Sequence, residues 1–440
     1  MLAKIKNKVQ NSKEIRNAGW IIGGRVVQMI LTCIVGIISA RYLGPGNYGL
    51  ISYGQAFASF FAAFCTLGIH AVIIKDFVDH PNEQGIAIGT TLVLRGLSSF
   101  LSAIMIVGVV SIVDAGERET IIVVALCSVY LVFQIFDTFN YWFQARYQSK
   151  ITSIATLFAY SIVSLYKIIL LINNKSVKWF AFSTALDYFV IGVFLCFAYK
   201  HYNGPKLQFS FEKAKALLGK SYQYILSSMM VTIYSQTDKL MLKQMLNETE
   251  VGYYSVATSL CTIWIFVLQA IIDSLYPTIL NLFAIDKDAF ARKNRQLYSI
   301  VFYVSCTVSI LFTLFAGIGI RLMYGPNYLG AVNPLRIVTW YTAFSYLGVS
   351  RNAWIVCNNK QKYLKYMYGG AACINVMLNA VLIPIMGASG AALASLITQI
   401  FTSIILPYMF KEMRENAKMM IDAILLKDFL RRKPDTRTND

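Results

Sequence analysis

The chain is a succession of long apolar stretches, each close to the length that a lipid bilayer requires. A membrane-crossing helix uses about 20 apolar residues. Twelve such stretches fall at roughly 17–40, 48–73, 86–113, 120–143, 151–172, 177–199, 221–243, 251–275, 297–323, 331–357, 363–385 and 388–411. Most are separated by turn or charge signals, among them Leu43-Gly44-Pro45-Gly46-Asn47, His80-Pro81-Asn82, Asn173-Asn174-Lys175, Gly325-Pro326-Asn327 and Asn358-Asn359-Lys360. Composition agrees with this division. Hydrophobic residues make up 57% of the 440 and charged residues only 14%, against about 45–50% and 25% in soluble domains. That excludes an ordinary soluble protein, a disordered chain, a nucleic-acid-binding domain and a membrane anchor carrying a large soluble catalytic domain. The reading is an all-α polytopic membrane protein of about 12 transmembrane helices.

The net charge of +18, from 40 Lys and Arg against 22 Asp and Glu, needs a location. With the N-terminus placed in the cytoplasm, 28 basic residues fall in cytoplasmic segments and 5 outside (Arg41, Arg118, Lys175, Lys178 and Lys243). The positive-inside rule then sets both termini in the cytoplasm and favours an even number of spans. The apolar stretch after the basic start exceeds the region of about 7–15 residues in a cleaved signal, so it reads as an uncleaved first span.

Residues 200–220 are the longest polar piece between spans and separate six from six. The chain divides into a basic N-terminus (1–16), an N-lobe (17–199), a cytoplasmic linker (200–220), a C-lobe (221–411) and a cytoplasmic tail (412–440). The tail carries an apolar stripe through Met413, Ala417, Met420, Ile421, Ile424, Leu425 and Phe429, the pattern of a helix lying on an anionic membrane face. Leu43, Gly49 and Ser52 recur as Leu246, Gly252 and Ser255, each 203 residues later. Two parallel six-helix repeats are the expectation.

Seven basic residues remain inside the spans: Arg25, Arg95, Lys167, Lys239, Arg321, Arg336 and Arg351. Four acids join them: Asp137, Asp187, Asp238 and Asp273. A charge at mid-bilayer costs about 2.5–3.5 kcal/mol on insertion scales, so these side chains are expected to face water or a partner helix. Arg321, near a span end, reads as reaching to the interface. Asp238 and Lys239 diverge as helix neighbours and each need another partner. The eight cysteines lie in or beside apolar runs with no zinc-ligand spacing, and His70, His80 and His201 are scattered. No nucleotide-binding motif occurs. Neither an enzyme nor an ATPase is expected, and no cofactor.

Four segments resemble the polysaccharide-flippase (Wzx-type) branch of the MATE-like superfamily. They are ARYLGPGNYGLISYGQAF (Ala40 to Phe57), TDKLMLKQMLNETEVGYYSVATSL (Thr237 to Leu260), LMYGPNYLGAVNPLRI (Leu322 to Ile337) and GGAACINVMLNAVLIPIMGASGAALASL (Gly369 to Leu396). The resemblance implies a MATE-like, two-lobed fold that moves undecaprenyl-diphosphate-linked oligosaccharide from the inner to the outer leaflet of a bacterial cytoplasmic membrane by alternating access. It implies membrane lipids as surroundings, with a polysaccharide polymerase and chain-length proteins as partners, and no nucleic acid. A diphosphate headgroup needs cationic compensation, so Arg25, Arg95, Lys167, Lys239, Arg336 and Arg351 are the expected substrate-binding residues. Asp187 and Asp238 are the expected coupling residues for Na⁺ or H⁺. A MATE-type multidrug or cation exporter is the alternative, opposed by seven basic against four acidic span residues. A membrane polysaccharide polymerase needs a large outer loop, and every expected outer loop is short. The small residues Gly387, Gly390, Ala391, Ala392 and Ala394 read as a tight helix crossing.

Overall fold

The computed structural model describes residues 13–427. The basic residues expected before residue 13 and after residue 427, and Phe429 of the tail stripe, lie outside the described residues. No strand occurs among the described residues. Nine helices among them are long and apolar enough to cross a membrane, against the twelve spans expected. The first of the nine, Val26–Thr66, has 41 residues, about twice what a bilayer takes. It lies in helix α1 (Lys13–Thr66), which breaks at Gly44, where φ is 73° and ψ 168°. A left-handed φ is open to glycine at no steric cost, and Pro45 follows it as the first residue of the next helical piece.

Two compact units divide between Gln236 and Thr237. In the first unit α2 (Ile69–Asp79), α3 (Gln84–Val113), α4 (Arg118–Ser128), α5 (Tyr130–Phe133), α6 (Asp137–Ala145), α7 (Ser149–Ile172) and α8 (Val177–His201) follow α1. One core gathers Ile69, Ile73, Phe77, Ile88, Trp142 and Phe143. Another gathers Leu43, Leu50, Val123, Leu170 and Phe180. Helix α9 (Phe211–Met245) runs through the division.

The second unit continues with α10 (Glu248–Thr262), α11 (Ile265–Ile285), α12 (Lys287–Met323), α13 (Val332–Ser350), α14 (Asn352–Cys357), α15 (Leu364–Met386), α16 (Ala388–Ile400), α17 (Leu406–Met409) and α18 (Arg414–Ile424). A π-helical turn at Phe401–Ile405 joins α16 to α17. The break before α10 falls at Asn247, an extended residue whose side chain caps the helix. Asn247 is 203 positions after Gly44, so the breaks in the two units keep the spacing of the sequence echo.

Two segments have packing that the sequence alone does not show. Residues 200–220, expected as a cytoplasmic linker, are anchored to the first unit. Gln208 N–H donates to the Gly85 carbonyl at 3.2 Å, Ser210 N–H donates to Thr90 Oγ1 at 3.0 Å, and Lys213 reaches Asp76 at 2.9 Å and Glu83 at 3.0 Å. Gly85 and Gly89, four apart on α3, leave the space in which this backbone lies, because a Cβ at either would collide with it. The tail is the other. Met413, Met419, Met420 and Ala423 join the core of the second unit with Leu297, Tyr298 and Val301. Ser299 and Tyr303 donate to the carbonyls of Ala423 and Ile424 at 3.0 and 2.6 Å. Protein covers Met413, Ala417 and Met420 of the tail's apolar stripe, and Leu425 is exposed.

Candidate functional site

In the second unit Asp238 lies on α9 with only 3% of its surface exposed. Its carboxylate collects donors from three other helices. Tyr254, on α10, donates its hydroxyl to Oδ2. Ser395, on α16, donates to the same oxygen at 2.6 Å. Asn379, on α15, donates Nδ2 to Oδ1 at 2.6 Å. Asn375 lies one turn earlier, and its Oδ1 accepts from Asn379 Nδ2 at 3.0 Å. Residues four apart share a helix face, so both asparagines are presented together.

Local sequence makes this convergence. Gly387, at φ 58°, turns α15 into α16, and Glu250 Oε2 accepts the Ala388 N–H at 2.7 Å. A carboxylate at a helix N-terminus is favourable. It ties α10 to the start of α16 and so sets Tyr254 and Ser395 near one another. The motif read from sequence as a tight crossing therefore also delivers polar groups to Asp238.

Among the described residues, three neutral donors rather than an ion pair hold the Asp238 oxygens. Asn379 Oδ1 is buried with no donor. A buried unpaired acceptor costs about 1–3 kcal/mol. One carboxylate, amide oxygens and hydroxyls form an oxygen-rich setting for a small hard cation or a proton. No group of three His, Cys, Asp or Glu able to hold a metal occurs among the described residues.

In the first unit two of the span cations stand near span acids. Arg95, on α3, is 1% exposed. Its Nη2 lies 4.0 Å from the Asp137 carboxylate, its Nη1 3.4 Å from Thr138 Oγ1, and its guanidinium 5.7 Å from the Tyr141 ring. Lys167 on α7 and Asp187 on α8 are electrostatic partners, and Asp187 Oδ1 is buried without a hydrogen bond. Tyr188 lies in the field of both Asp137 and Asp187 and packs on Tyr130 at 5.1 Å between ring centres.

The expected cationic residues whose side chains are described stand in different settings. Arg95 is buried against Asp137 and Thr138. Arg351 is buried as well. At 5% exposure it donates to the Ser403 carbonyl at 3.3 Å, inside the π-helical turn, where the regular hydrogen-bond ladder is altered. Arg336 is exposed and donates Nε to the Thr313 carbonyl at 3.2 Å. Lys167 and Lys239 are half-buried. Arg25 stands on α1, but its side chain lies outside the described residues. Asp238 is the expected residue around which the most polar groups gather. Tyr254, Asn375, Asn379 and Ser395 were not anticipated, although the four-residue spacing of the two asparagines in an apolar stretch was a visible signal.

The pattern of the polysaccharide biosynthesis protein family matches residues 15–283, well over half of the chain. The chain belongs to this family. The match takes in the first unit and, in the second, Asp238 and Tyr254. Solved structures extend the likeness in fold over nearly the whole length of this polysaccharide biosynthesis protein. The lipid II flippase MurJ in an inward closed conformation has a TM-score of 0.69 at 12% identity, covering 97% of this chain and 94% of that one. An inward-facing multidrug resistance transporter of the MATE family, in the MOP superfamily, has a TM-score of 0.66 at 14% identity, covering 89% and 98%. A MOP superfamily transporter from Pyrococcus furiosus has a TM-score of 0.54 at 11% identity, covering 91% and 93%. No curated relative matches by sequence. The protein is a multi-pass membrane protein of the flippase and transporter fold.

Proposed function

We propose that this family member moves an undecaprenyl-diphosphate-linked oligosaccharide from the inner to the outer leaflet of a bacterial cytoplasmic membrane by alternating access. The family match over residues 15–283 carries the reading, supported by the fold shared with a lipid II flippase. A charged headgroup cannot cross hydrocarbon uncompensated. Lys167, Lys239 and Arg336 retain exposure for that role, and Arg25 shares it by position.

The Asp238 network is the coupling element of the proposal. An incoming Na⁺ takes the carboxylate together with the Asn379 and Ser395 oxygens; an incoming proton neutralises the carboxylate and breaks the need for three donors. Either event changes the packing of α9, α10, α15 and α16 around one buried charge. The Lys167–Asp187 pair balances charge within its own unit, and so is the weaker coupling candidate.

The fold shared with a MATE multidrug transporter favours a second reading, a small-cation exporter. The excess of basic over acidic span residues opposes it. Mass spectrometry of lipid extracts from a deletion strain separates the two. Accumulated undecaprenyl-diphosphate-linked oligosaccharide supports the flippase; unchanged lipid intermediates with altered drug sensitivity support the exporter.

A further inference from the structure

We infer that the second unit has a binding pocket for an anionic phospholipid headgroup, roofed by the tail helix. A cavity of about 610 Å³ opens where the end of α11, the start of α12 and the end of α18 meet. Its walls are of two kinds. Arg292, Lys293 and Arg295 supply positive charge, while Leu282, Ile300 and Leu426 supply apolar surface. Among the described lining residues the one carboxylate, Asp422, takes the Lys427 ammonium at 2.6 Å, and Arg292 lies 3.9 Å from Asp286 at the start of α12. A pocket with this double character suits an amphiphile bearing a phosphate. Basic pockets on the cytoplasmic side of membrane helices take anionic headgroups.

The depth is also appropriate. Helix α12 has 37 residues, which at about 1.5 Å each exceeds a hydrocarbon core of about 30 Å. Its charged start, Lys287 to Arg295, therefore extends beyond the apolar part that begins near Ile300. The pocket sits at that change from charged to apolar. It reassigns the tail. The stripe of α18 packs on protein, and its last turn instead forms one wall of a lipid site. A bound headgroup would brace α18 against α12 whichever substrate is transported.

The test is native mass spectrometry of the full-length protein after detergent exchange, offered phosphatidylglycerol, phosphatidylcholine, undecaprenyl phosphate or inorganic phosphate. Selective retention of phosphatidylglycerol is expected. A basic residue near a membrane surface contributes about a factor of five in affinity, so R292Q/K293Q/R295Q should lose roughly a hundredfold, while K200Q/K206Q/K215Q, equal in charge removed, should retain the lipid. Equal retention of phosphatidylcholine, displacement by inorganic phosphate, or preference for undecaprenyl phosphate would overturn the assignment. Hydrogen exchange on the unsubstituted protein gives an independent reading. Phosphatidylglycerol should slow exchange in residues 289–296 and 414–426, and phosphatidylcholine should not; no slowing by phosphatidylglycerol contradicts the proposal.

Discussion

Ser395 Oγ lies 2.6 Å from Asp238 Oδ2, although 157 residues of chain separate them. That hydrogen bond joins α16 to α9 around a buried carboxylate, and Asn379 and Tyr254 complete the ring of donors. Replacing Asp238 with Asn should abolish the transport that a Na⁺ or H⁺ gradient drives, while the protein still inserts. A hydrogen bond to a charged group contributes about 1.5–3 kcal/mol, so Ser395→Ala should raise the ion concentration for half-maximal transport by roughly tenfold or more. Transport in reconstituted vesicles under imposed gradients measures both. Unaltered gradient dependence in Asp238→Asn would remove the site from the coupling scheme.

Arg95 and Asp137 provide a stability test. Arg95→Leu strands a carboxylate that is 21% exposed, and breaking a buried pair costs about 3–5 kcal/mol; the 4.0 Å separation and partial exposure place this case at or below the lower end. Adding Asp137→Asn should restore most of the loss. Thermal unfolding of the two single variants and the double variant supplies the cycle. If Arg95→Leu melts like the unsubstituted protein but loses transport, Arg95 acts on substrate, as the sequence reading held.

Gly89→Ala tests the anchoring of residues 200–220. A Cβ there falls 2.7 Å from the Gln208 nitrogen, and overpacking costs about 1–3 kcal/mol. The variant should melt earlier and become more open to proteolysis near residues 203–210. Gly96→Ala, on the same helix with nothing within 4 Å of the added atom, is the control and should behave as the unsubstituted protein.

Glu412 gives a pH test at the base of the tail. Lys360 Nζ, 2.5 Å away, holds its carboxyl below the ordinary 4.5, with Tyr363 adding a hydrogen bond. A depressed folded-state value stabilises the fold above the unfolded value, and that contribution disappears as pH falls through the folded one. Protection of the α18 amides, corrected for the intrinsic pH dependence of exchange, should therefore fall below about pH 4.5, and the fall should be smaller in Glu412→Gln. The effect is small, as for exposed pairs generally.

Helix breaks were legible because glycine, proline and asparagine mark them locally: Gly44 and Gly325 adopt positive φ where the turn signals stood. Asp238 was legible as a charge too deep to face lipid. Its partners were not, because Asn379 and Ser395 arrive from 141 and 157 residues away, and no local pattern encodes that meeting. The same holds for Arg95. Its sequence position gives depth, whereas the pairing with Asp137 depends on how α3 packs on α6. The apolar stripe of the tail is legible in the sequence, but periodicity does not say whether lipid or α12 covers it.

The most direct measurement is the sidedness of undecaprenyl-diphosphate-linked oligosaccharide in inverted and right-side-out vesicles from cells with and without this protein. The account predicts that the lipid-linked sugar accumulates on the cytoplasmic leaflet without the protein, and that restoring it moves the sugar outward while Asp238→Asn does not. The same distribution across both leaflets with or without the protein would contradict it.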